Sequence, residues 1–174
     1  ANRNGLKNTE ADILISIGAL YDNLGSFDKS IKYYKKALLI FKQNKNNKGI
    51  ANCYSSIGYI KIMLGKYNQS IKILKEALKV RVTTPNIKSG IYNNLAAAYI
   101  YSKKFKMAKN TFMRSLNLRK KCGDKYGIAQ SLSNIGYCYY QMNKYNYALE
   151  KYNSALEIHQ KLGTKDEIAT IFNN

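Results

Sequence analysis

The sequence predicts an all-α fold made of stacked pairs of antiparallel helices, and three patterns lead to that prediction. Small residues recur at spacings of 40, 38 and 40 residues, and periods of this length are typical of stacked supersecondary units. These small residues are Gly18, Gly58, Ala96 and Gly136. Apolar residues recur at three and four positions, which is the helical period. Each repeat is then interrupted seven residues after its small residue, at Gly25, Gly65, Lys103 and Asn143.

The four complete repeats cover about residues 6–45, 46–83, 84–123 and 124–163, and residues 164–174 begin a fifth. Turn residues separate them. Thr84 before Pro85 fits a helix N-cap followed by proline at the first helical position. Arg3-Asn-Gly5 resembles the end of a repeat, and the last residues begin a helix without a second one. We therefore expect the chain to be a fragment of a longer array.

Each repeat combines small residues, which let its two helices cross closely, with large residues that fill the space between them. In the first repeat these are Leu14, Ile17, Gly18, Tyr21, Ser30, Tyr34 and Ala37. In the second they are Tyr54, Ile57, Gly58, Ser70, Leu74 and Ala77. In the third they are Tyr92, Leu95, Tyr99, Ala108 and Phe112. In the fourth they are Leu132, Ile135, Gly136, Tyr139, Ala148, Tyr152 and Ala155.

This pattern resembles the tetratricopeptide repeat (TPR) over essentially the whole chain. The resemblance implies a right-handed superhelical solenoid of antiparallel helix pairs, with four full repeats, a partial fifth, and second helices on the outer, convex wall. The forty-residue period is similar to that of Pins/LGN-type adaptors and kinesin light chains. It also resembles arrays that precede bacterial signalling kinases and those of peptide-pheromone receptors. Lys61, Ala96 and Ser115 depart from the usual residues without blocking the packing.

Positive charge is concentrated in the middle of the chain, where residues 29–121 contain 22 basic residues and one acid, Glu76. Much of it falls on second helices, and a candidate basic face comprises Lys72, Lys75, Lys79, Lys106, Lys109 and Arg114. Such a face could bind an acidic protein, nucleic acid or an anionic membrane surface. The alternative is compositional drift, because Lys, Asn, Ile and Tyr supply 80 of the 174 residues.

Asparagines on the first helices suggest a binding surface. The sixth residue from the start of each first-helix apolar pattern is Ser16, Ser56, Asn94, Asn134 or Asn174. An asparagine amide can donate to and accept from the backbone of an extended peptide at once. The resemblance to LGN-type arrays implies that asparagines at this position hold the ligand backbone. We therefore predict peptide contacts from Asn94, Asn134 and Asn174, assisted by Asn93; simple solvation of these side chains is the alternative.

Other first-helix residues extend this predicted surface. They comprise Ser55, Ser56, Ser133, Tyr59, Tyr101, Tyr137 and Tyr140. Exposed phenols can stack on a ligand side chain, although packing within the helix pair is an alternative role. Six other tyrosines are assigned to the core, namely Tyr21, Tyr33, Tyr34, Tyr54, Tyr99 and Tyr139. Positions five, nine and thirteen of the first helices carry no cation, which argues against a clamp for a terminal carboxylate.

The sequence offers no constellation for catalysis, metal binding or a cofactor. Its single histidine, His159, is expected to be a solvated or half-buried helix residue. Cys53, Cys122 and Cys138 lack Cys-x-x-Cys spacing and are expected to be small core residues in a reducing compartment. Because the sequence has neither a targeting segment nor an apolar run of about 18 residues, we expect a cytoplasmic protein.

The function that these patterns favour is a non-catalytic scaffold that binds an extended peptide or a helix of a partner protein in its concave groove. Positive potential would accelerate the encounter if that partner is acidic. One alternative is a peptide-sensing or regulatory module of a longer signalling protein. A weaker alternative is binding of nucleic acid or an anionic surface, for which charge is the only support. The sequence leaves the partner's identity and the oligomeric state open.

Overall fold

The computed structural model describes residues 3–82 and 84–163, and within these ranges the regular structure consists of eight α-helices. The helices are α1 (Arg3–Asn23), α2 (Phe27–Gln43), α3 (Asn47–Met63), α4 (Tyr67–Lys79), α5 (Pro85–Tyr101), α6 (Phe105–Lys121), α7 (Lys125–Gln141) and α8 (Tyr145–Leu162). The all-α prediction of four helix pairs is therefore confirmed. The predicted start of a fifth repeat, including Asn174, lies outside the described residues.

The chain divides into two compact units, Ala1–Thr83 and Thr84–Asn174, called here the N-terminal and C-terminal units. In each unit the two helices of a pair pack on each other, and the second helix of the first pair also packs on the next pair. This arrangement places α2 against both α1 and α3 in the N-terminal unit, and α6 against both α5 and α7 in the C-terminal unit.

The core of the N-terminal unit consists of apolar clusters between consecutive helices. One cluster joins Ala11, Ala37, Phe41 and Cys53, all at most 1% exposed. The absence of a side chain at Gly49 leaves room for the Phe41 ring, because a Cβ on that glycine would lie 2.4 Å from the ring. Within the helix pairs, a Cβ at Gly58 would lie 2.6 Å from Leu74 and one at Gly18 would lie 3.3 Å from Tyr34, so the close crossings predicted at these two small residues are present.

Buried serines add a bond that recurs in this unit. The Ser30 hydroxyl donates to the carbonyl of Gly18 across α1 and α2 at 2.7 Å. One repeat later, Ser70 donates to the carbonyl of Gly58 at the same distance. Each bond joins the first and second helices of one pair at the point where the glycine allows close approach.

The turns within the helix pairs follow the predicted breaks. Gly25 and Gly65 have φ of 67° and 69°, and Lys103 and Asn143 adopt the same left-handed conformation with φ of 56° and 58°. This conformation lets the next amide close the helix end; the amide of Lys104 donates to the carbonyl of Tyr99 at 2.8 Å. Thr84 and Pro85 begin α5 as predicted, although the Thr84 side chain makes no capping hydrogen bond.

Several predicted burials need correction. His159 is 2% exposed rather than solvated or half-buried, and its ring is nearly perpendicular to that of Tyr126, with centroids 5.9 Å apart. Cys53 and Cys138 are buried, but Cys122 is exposed in the turn that follows α6. Of the six tyrosines assigned to the core, only Tyr34 and Tyr99 are buried.

The other four tyrosines are half-buried and pack at the edges of the helix pairs. Tyr21 stacks on Tyr33 at 5.4 Å, and Tyr139 stacks on Tyr147 at 5.3 Å. Lysine ammonium groups lie over Tyr21, Tyr33, Tyr54 and Tyr139. A phenol keeps its hydroxyl in contact with water in such a position, which explains why these rings are not fully enclosed.

Candidate functional site

A groove lies between the two first helices of the C-terminal unit, and we call it the α5–α7 groove. Its volume is about 360 Å³, and Phe112 of α6 lies behind it. It is lined by Asn93, Ala97, Ile100, Tyr101, Phe112, Ser133, Asn134 and Tyr137. The spacing of the α5 residues at 93, 97, 100 and 101 is that of one helix face, so a single side of α5 forms one wall.

Two buried polar atoms of this lining, Asn93 Oδ1 and Ser133 Oγ, have no hydrogen-bond partner among residues 3–82 and 84–163. A buried polar atom without a partner costs roughly 1–3 kcal/mol, and most buried polar groups in proteins are paired. Both atoms belong to walls of the same groove, one from α5 and one from α7. The Asn93 oxygen can accept a hydrogen bond and the Ser133 hydroxyl can donate one.

The chemistry of the lining is neutral. None of its eight residues carries a formal charge, and Ala97, Ile100 and Phe112 supply an apolar surface. Tyr101 is 57% exposed at the rim, whereas Tyr137 is half-buried. The small side chain of Ala97 stands where α7 has Tyr137 in the aligned repeat, which leaves open the space that a second ring would fill.

Bonds from α6 fix the two walls of the groove. The buried Ser115 hydroxyl donates to the carbonyl of Ser89 in α5 at 2.8 Å. Arg119, 8% exposed, donates through Nη1 to the carbonyl of Gly127 and, at 3.1 Å, to Ser131 Oγ in α7. Burial lowers the pKa of Arg119, while nearby Asp124 acts in the opposite direction.

Asp124 also fixes the start of α7. Its carboxylate accepts from the amide of Gly127 at 2.8 Å, which is a side-chain N-cap. Asn46 makes the equivalent bond with Gly49 at the start of α3. The polar joints between repeats, which the sequence marks as turns, therefore orient the helices that carry Ser133 and Asn134.

The structure brings together five of the residues predicted for peptide contact: Asn93, Ser133, Asn134, Tyr101 and Tyr137 line the α5–α7 groove. Asn94, the next residue along α5, is half-buried and is not part of this lining. Tyr140 instead lies edge-on to Tyr145 at 5.8 Å. The role of any of these residues in binding stays a prediction.

Sequence reasoning missed Ala97 and Ile100 and treated Phe112 only as a core residue. Phe112 is indeed 1% exposed, but it also closes the back of the groove. The one available signal was the helical spacing from Asn93, which places Ala97 and Ile100 on the same face. An apolar residue beside a polar one gives no reason by itself to expect a ligand.

The predicted residues of the N-terminal unit lie on α3. Tyr59 is 41% exposed, and Ser55 and Ser56 are half-buried. Ser56 hydrogen bonds to the phenol of Tyr34, whose pKa is raised mainly by burial. The hydroxyl of Ser56 thus already stabilises the core of its own unit.

The residues of the candidate basic face differ in their surroundings. Lys72, Lys75, Lys79, Lys106 and Arg114 are exposed, and Lys109 is half-buried. Lys79 pairs with Glu76 at 2.7 Å. Lys109 lies over the Tyr139 ring at 5.5 Å and Arg114 over Tyr92 at 6.0 Å. Several of these cations therefore have aromatic or acidic neighbours within their own unit.

Among residues 3–82 and 84–163, no group of three or more His, Cys, Asp or Glu side chains could hold a metal ion. Within the same ranges no helix is long and apolar enough to span a membrane.

The repeated helix pairs, with recurrent small residues at their crossings, define a helical-repeat protein. The model of one family of such proteins, the tetratricopeptide repeat, matches residues 9–81 and 89–161. The chain therefore belongs to the tetratricopeptide repeat family. The narrower resemblance to Pins/LGN-type adaptors and kinesin light chains stays a prediction. A comparison with curated proteins finds no match.

Solved structures share this fold at low sequence identity. BtubC (BKLC) from P. vanneervenii has a TM-score of 0.79 at 23% identity, over 88% of this chain and 65% of that one. The apo form of RapI has a TM-score of 0.83 at 21% identity, over 93% and 60%. Aspartyl phosphate phosphatase F from Bacillus subtilis has a TM-score of 0.89 at 17% identity, over 95% and 44%. The chain thus spans less than two thirds of the length of these three proteins.

Proposed function

We propose that this chain is a non-catalytic protein-interaction module whose α5–α7 groove binds an extended peptide segment of a partner protein. Membership of the tetratricopeptide repeat family supports the general part of this proposal, because the fold generally serves as a protein-interaction scaffold. The choice of the α5–α7 groove as the binding site rests on one observation. Two buried polar atoms in its lining residues, Asn93 Oδ1 and Ser133 Oγ, have no hydrogen-bond partner among the described residues.

An extended peptide suits this groove because its backbone offers a donor and an acceptor at every residue. The Asn134 amide can both donate to and accept from that backbone. Asn93 Oδ1 and the Ser133 hydroxyl supply one acceptor and one donor to the polar end of an inserted side chain, and Ala97, Ile100 and Phe112 provide an apolar surface for its stem.

The proposal is tested with peptides selected from a phage-displayed random 12-residue library on the immobilised chain. Affinity for a selected synthetic peptide is then measured by calorimetry with the Asn93→Ala/Asn134→Ala variant. We expect the affinity of this variant to be about thirtyfold lower than that of the unmodified chain, because two hydrogen bonds worth about 1 kcal/mol each are lost.

The matched control is the Asn110→Ala/Asn117→Ala variant, since both of these asparagines are exposed on α6. We expect it to bind as the unmodified chain does. Equal affinities for all three proteins would refute binding in the α5–α7 groove.

A second candidate, sensing of a short peptide by a longer signalling protein, would use the same groove. The observation that favours it is structural similarity to two proteins of which this chain spans only 60% and 44%, RapI and aspartyl phosphate phosphatase F. The complete reading frame decides it: a kinase or helix-turn-helix segment beyond these residues supports the sensing role, and a frame that encodes only TPR repeats contradicts it.

A further inference from the structure

Resting on the proposed function, we infer that the residue inserted into the α5–α7 groove carries a primary carboxamide, as glutamine or asparagine does, and that acidic residues flank it. The inference concerns which partner sequence the groove accepts. Three features of the C-terminal unit lead to it: a neutral lining, the donor and acceptor capacity of its two unpartnered atoms, and the charge around it.

The neutral lining disfavours a charged guest. A carboxylate or ammonium group that enters the groove loses hydration, and none of the eight lining residues offers an opposite charge. Ala97, Ile100 and Phe112 instead favour the methylene stem of the guest side chain. The inserted residue is therefore uncharged and partly apolar.

The unpartnered atoms specify the polar end of that side chain. Asn93 Oδ1 is an amide oxygen and can only accept a hydrogen bond, whereas the Ser133 hydroxyl can donate one. A primary carboxamide is complementary to this pair, since its NH₂ donates to Asn93 and its oxygen accepts from Ser133. A carboxylate of the same shape offers acceptors alone and leaves Asn93 unpaired. An ammonium group offers donors alone and leaves the Ser133 hydrogen unused.

The rotational freedom of Asn93 makes this contact accessible. The terminal torsion of asparagine is broad rather than confined to narrow wells, so a small rotation of the amide turns Oδ1 toward a guest. The groove volume of about 360 Å³ has room for a side chain and adjoining backbone. Binding would then give both buried atoms the partners that the free chain lacks.

The charge around the groove concerns the flanking residues of the guest. Residues 84–123, which contain α5 and α6, include nine basic residues and no acid. Lys103 and Lys104 are exposed in the turn that follows Tyr101 at the groove rim. Acidic residues on either side of the carboxamide would stay hydrated while being attracted by this field. The expected motif is therefore a neutral amide residue within an acidic segment.

The experiment uses the full chain of 174 residues and a peptide selected from the random 12-residue phage library. The carboxamide residue of the selected peptide is replaced in turn by Glu, Lys and Leu, and affinities are measured by calorimetry. We expect each replacement to weaken binding by about tenfold or more, because at least one hydrogen bond that forms only in the complex is lost. The control is replacement of a flanking acidic residue of the peptide, outside the groove, by serine. It should lower the affinity by about threefold at low salt.

A double-mutant cycle assigns the contact to its residues. Replacing the guest carboxamide residue by Leu should reduce affinity much less in the Asn93→Ala variant than in the unmodified chain. In the Asn117→Ala variant the same replacement should reduce affinity as much as it does in the unmodified chain. Circular dichroism confirms that each variant is folded. Equal binding of the Gln and Glu peptides, or selected peptides that share no carboxamide, would overturn the inference.

The outcomes separate this inference from the proposed function. Peptides whose binding depends on Asn93 and Asn134 but not on a carboxamide would refute the inference and leave the groove as the peptide site. Peptides that bind irrespective of Asn93 and Asn134, or no selected peptide at all, would refute the proposed function and the inference together.

Discussion

At the residue scale, the unpartnered side-chain atoms separate what stabilises this chain from what it is proposed to bind. Ser30 and Ser70 each make a buried bond of 2.7 Å to a carbonyl of the neighbouring helix. Ser133 Oγ and Asn93 Oδ1 are buried and make none within the described residues. Arg119 Nε and the Tyr152 hydroxyl share this property but lie outside the groove lining. The position of Asn93 and Ser133 in the groove, together with the missing bonds, is therefore why we expect these two side chains to contact a bound partner.

The Ser133→Ala variant should show this difference as two opposite effects. Removing an unpaired hydroxyl should leave the free energy of unfolding unchanged or raise it by up to about 1 kcal/mol. Affinity for a selected peptide should fall by about three- to tenfold, since the donor to the guest is gone. Urea denaturation and calorimetry measure the two quantities.

The control for Ser133→Ala is Ser70→Ala, which removes a paired buried hydroxyl in the other unit. It should lower the free energy of unfolding by about 1 kcal/mol and leave peptide affinity unchanged. A Ser133→Ala variant that is destabilised as much as Ser70→Ala would show that Ser133 has a structural role.

The three cysteines provide a test of burial that needs no ligand. Cys122 is exposed, whereas Cys53 and Cys138 are 0% exposed, and burial raises the pKa of each of these two thiols to about 12. Iodoacetamide should therefore modify only Cys122 in the folded chain and all three cysteines in guanidinium chloride. Mass spectrometry of tryptic peptides counts the adducts, and rapid native labelling of Cys138 would contradict the described packing.

The raised pKa values also fix the direction of a pH effect. Both thiols ionise near pH 9 when unfolded but only near pH 12 when folded. Their contribution to stability is therefore fully present below pH 9 and is lost as the pH rises from 9 to 12. The Cys138→Ala variant should lose less stability over this interval than the unmodified chain does.

At the element scale, the turn between α5 and α6 is less favourable than its counterparts in the N-terminal unit. Lys103 occupies the left-handed position, with φ of 56°, that glycine occupies at Gly25 and Gly65. A non-glycine residue in that conformation destabilises the folded chain by about 1 kcal/mol. The same turn bonds nevertheless form, which shows that packing of the helix pair determines the turn.

The Lys103→Gly variant should therefore be more stable than the unmodified chain. We expect a gain of about 0.5–1 kcal/mol, the relief of strain being partly offset by the greater freedom of glycine in the unfolded chain. Chemical denaturation followed by circular dichroism measures it. The control is Lys35→Gly in the middle of α2, which should lose about 1 kcal/mol; a loss at both positions would contradict the turn assignment.

At the scale of the whole molecule, the sequence is sufficient to predict the eight helices, because each helix depends on local period, turns and recurrent small residues. It is not sufficient to predict which surface covers a given residue. Leu20 is 62% exposed although the aligned Ile60 and Cys138 are fully buried. A repeat pattern treats these positions alike, whereas burial depends on the neighbouring helix: α2 covers α3, and no helix in the described part of the chain precedes α1.

The same distinction applies to the candidate site. Periodicity identified the first helices and their asparagines, but the choice between Asn93 and Asn94 depends on the rotation of α5 relative to α7. That rotation is fixed by bonds between helices, such as Ser115 to Ser89 and Arg119 to Gly127. The burial of His159 against Tyr126 likewise depends on how α7 and α8 pack.

The net charge of +19 should raise the association rate constant of an acidic peptide and have little effect on its dissociation rate constant. For a selected peptide with acidic flanks, raising NaCl from about 50 to 500 mM should lower kon by about tenfold and change koff little. Surface plasmon resonance measures both constants. A peptide with its acids replaced by serine is the control, and an equal salt response of both peptides would contradict electrostatic attraction.

A crystal structure of the chain with a selected peptide would show whether the α5–α7 groove is the binding site. We expect the peptide to lie between α5 and α7, with a donor nitrogen about 2.9 Å from Asn93 Oδ1 and an acceptor oxygen at a similar distance from Ser133 Oγ. A peptide bound on another face, with the groove closed or both atoms still without partners, would contradict it.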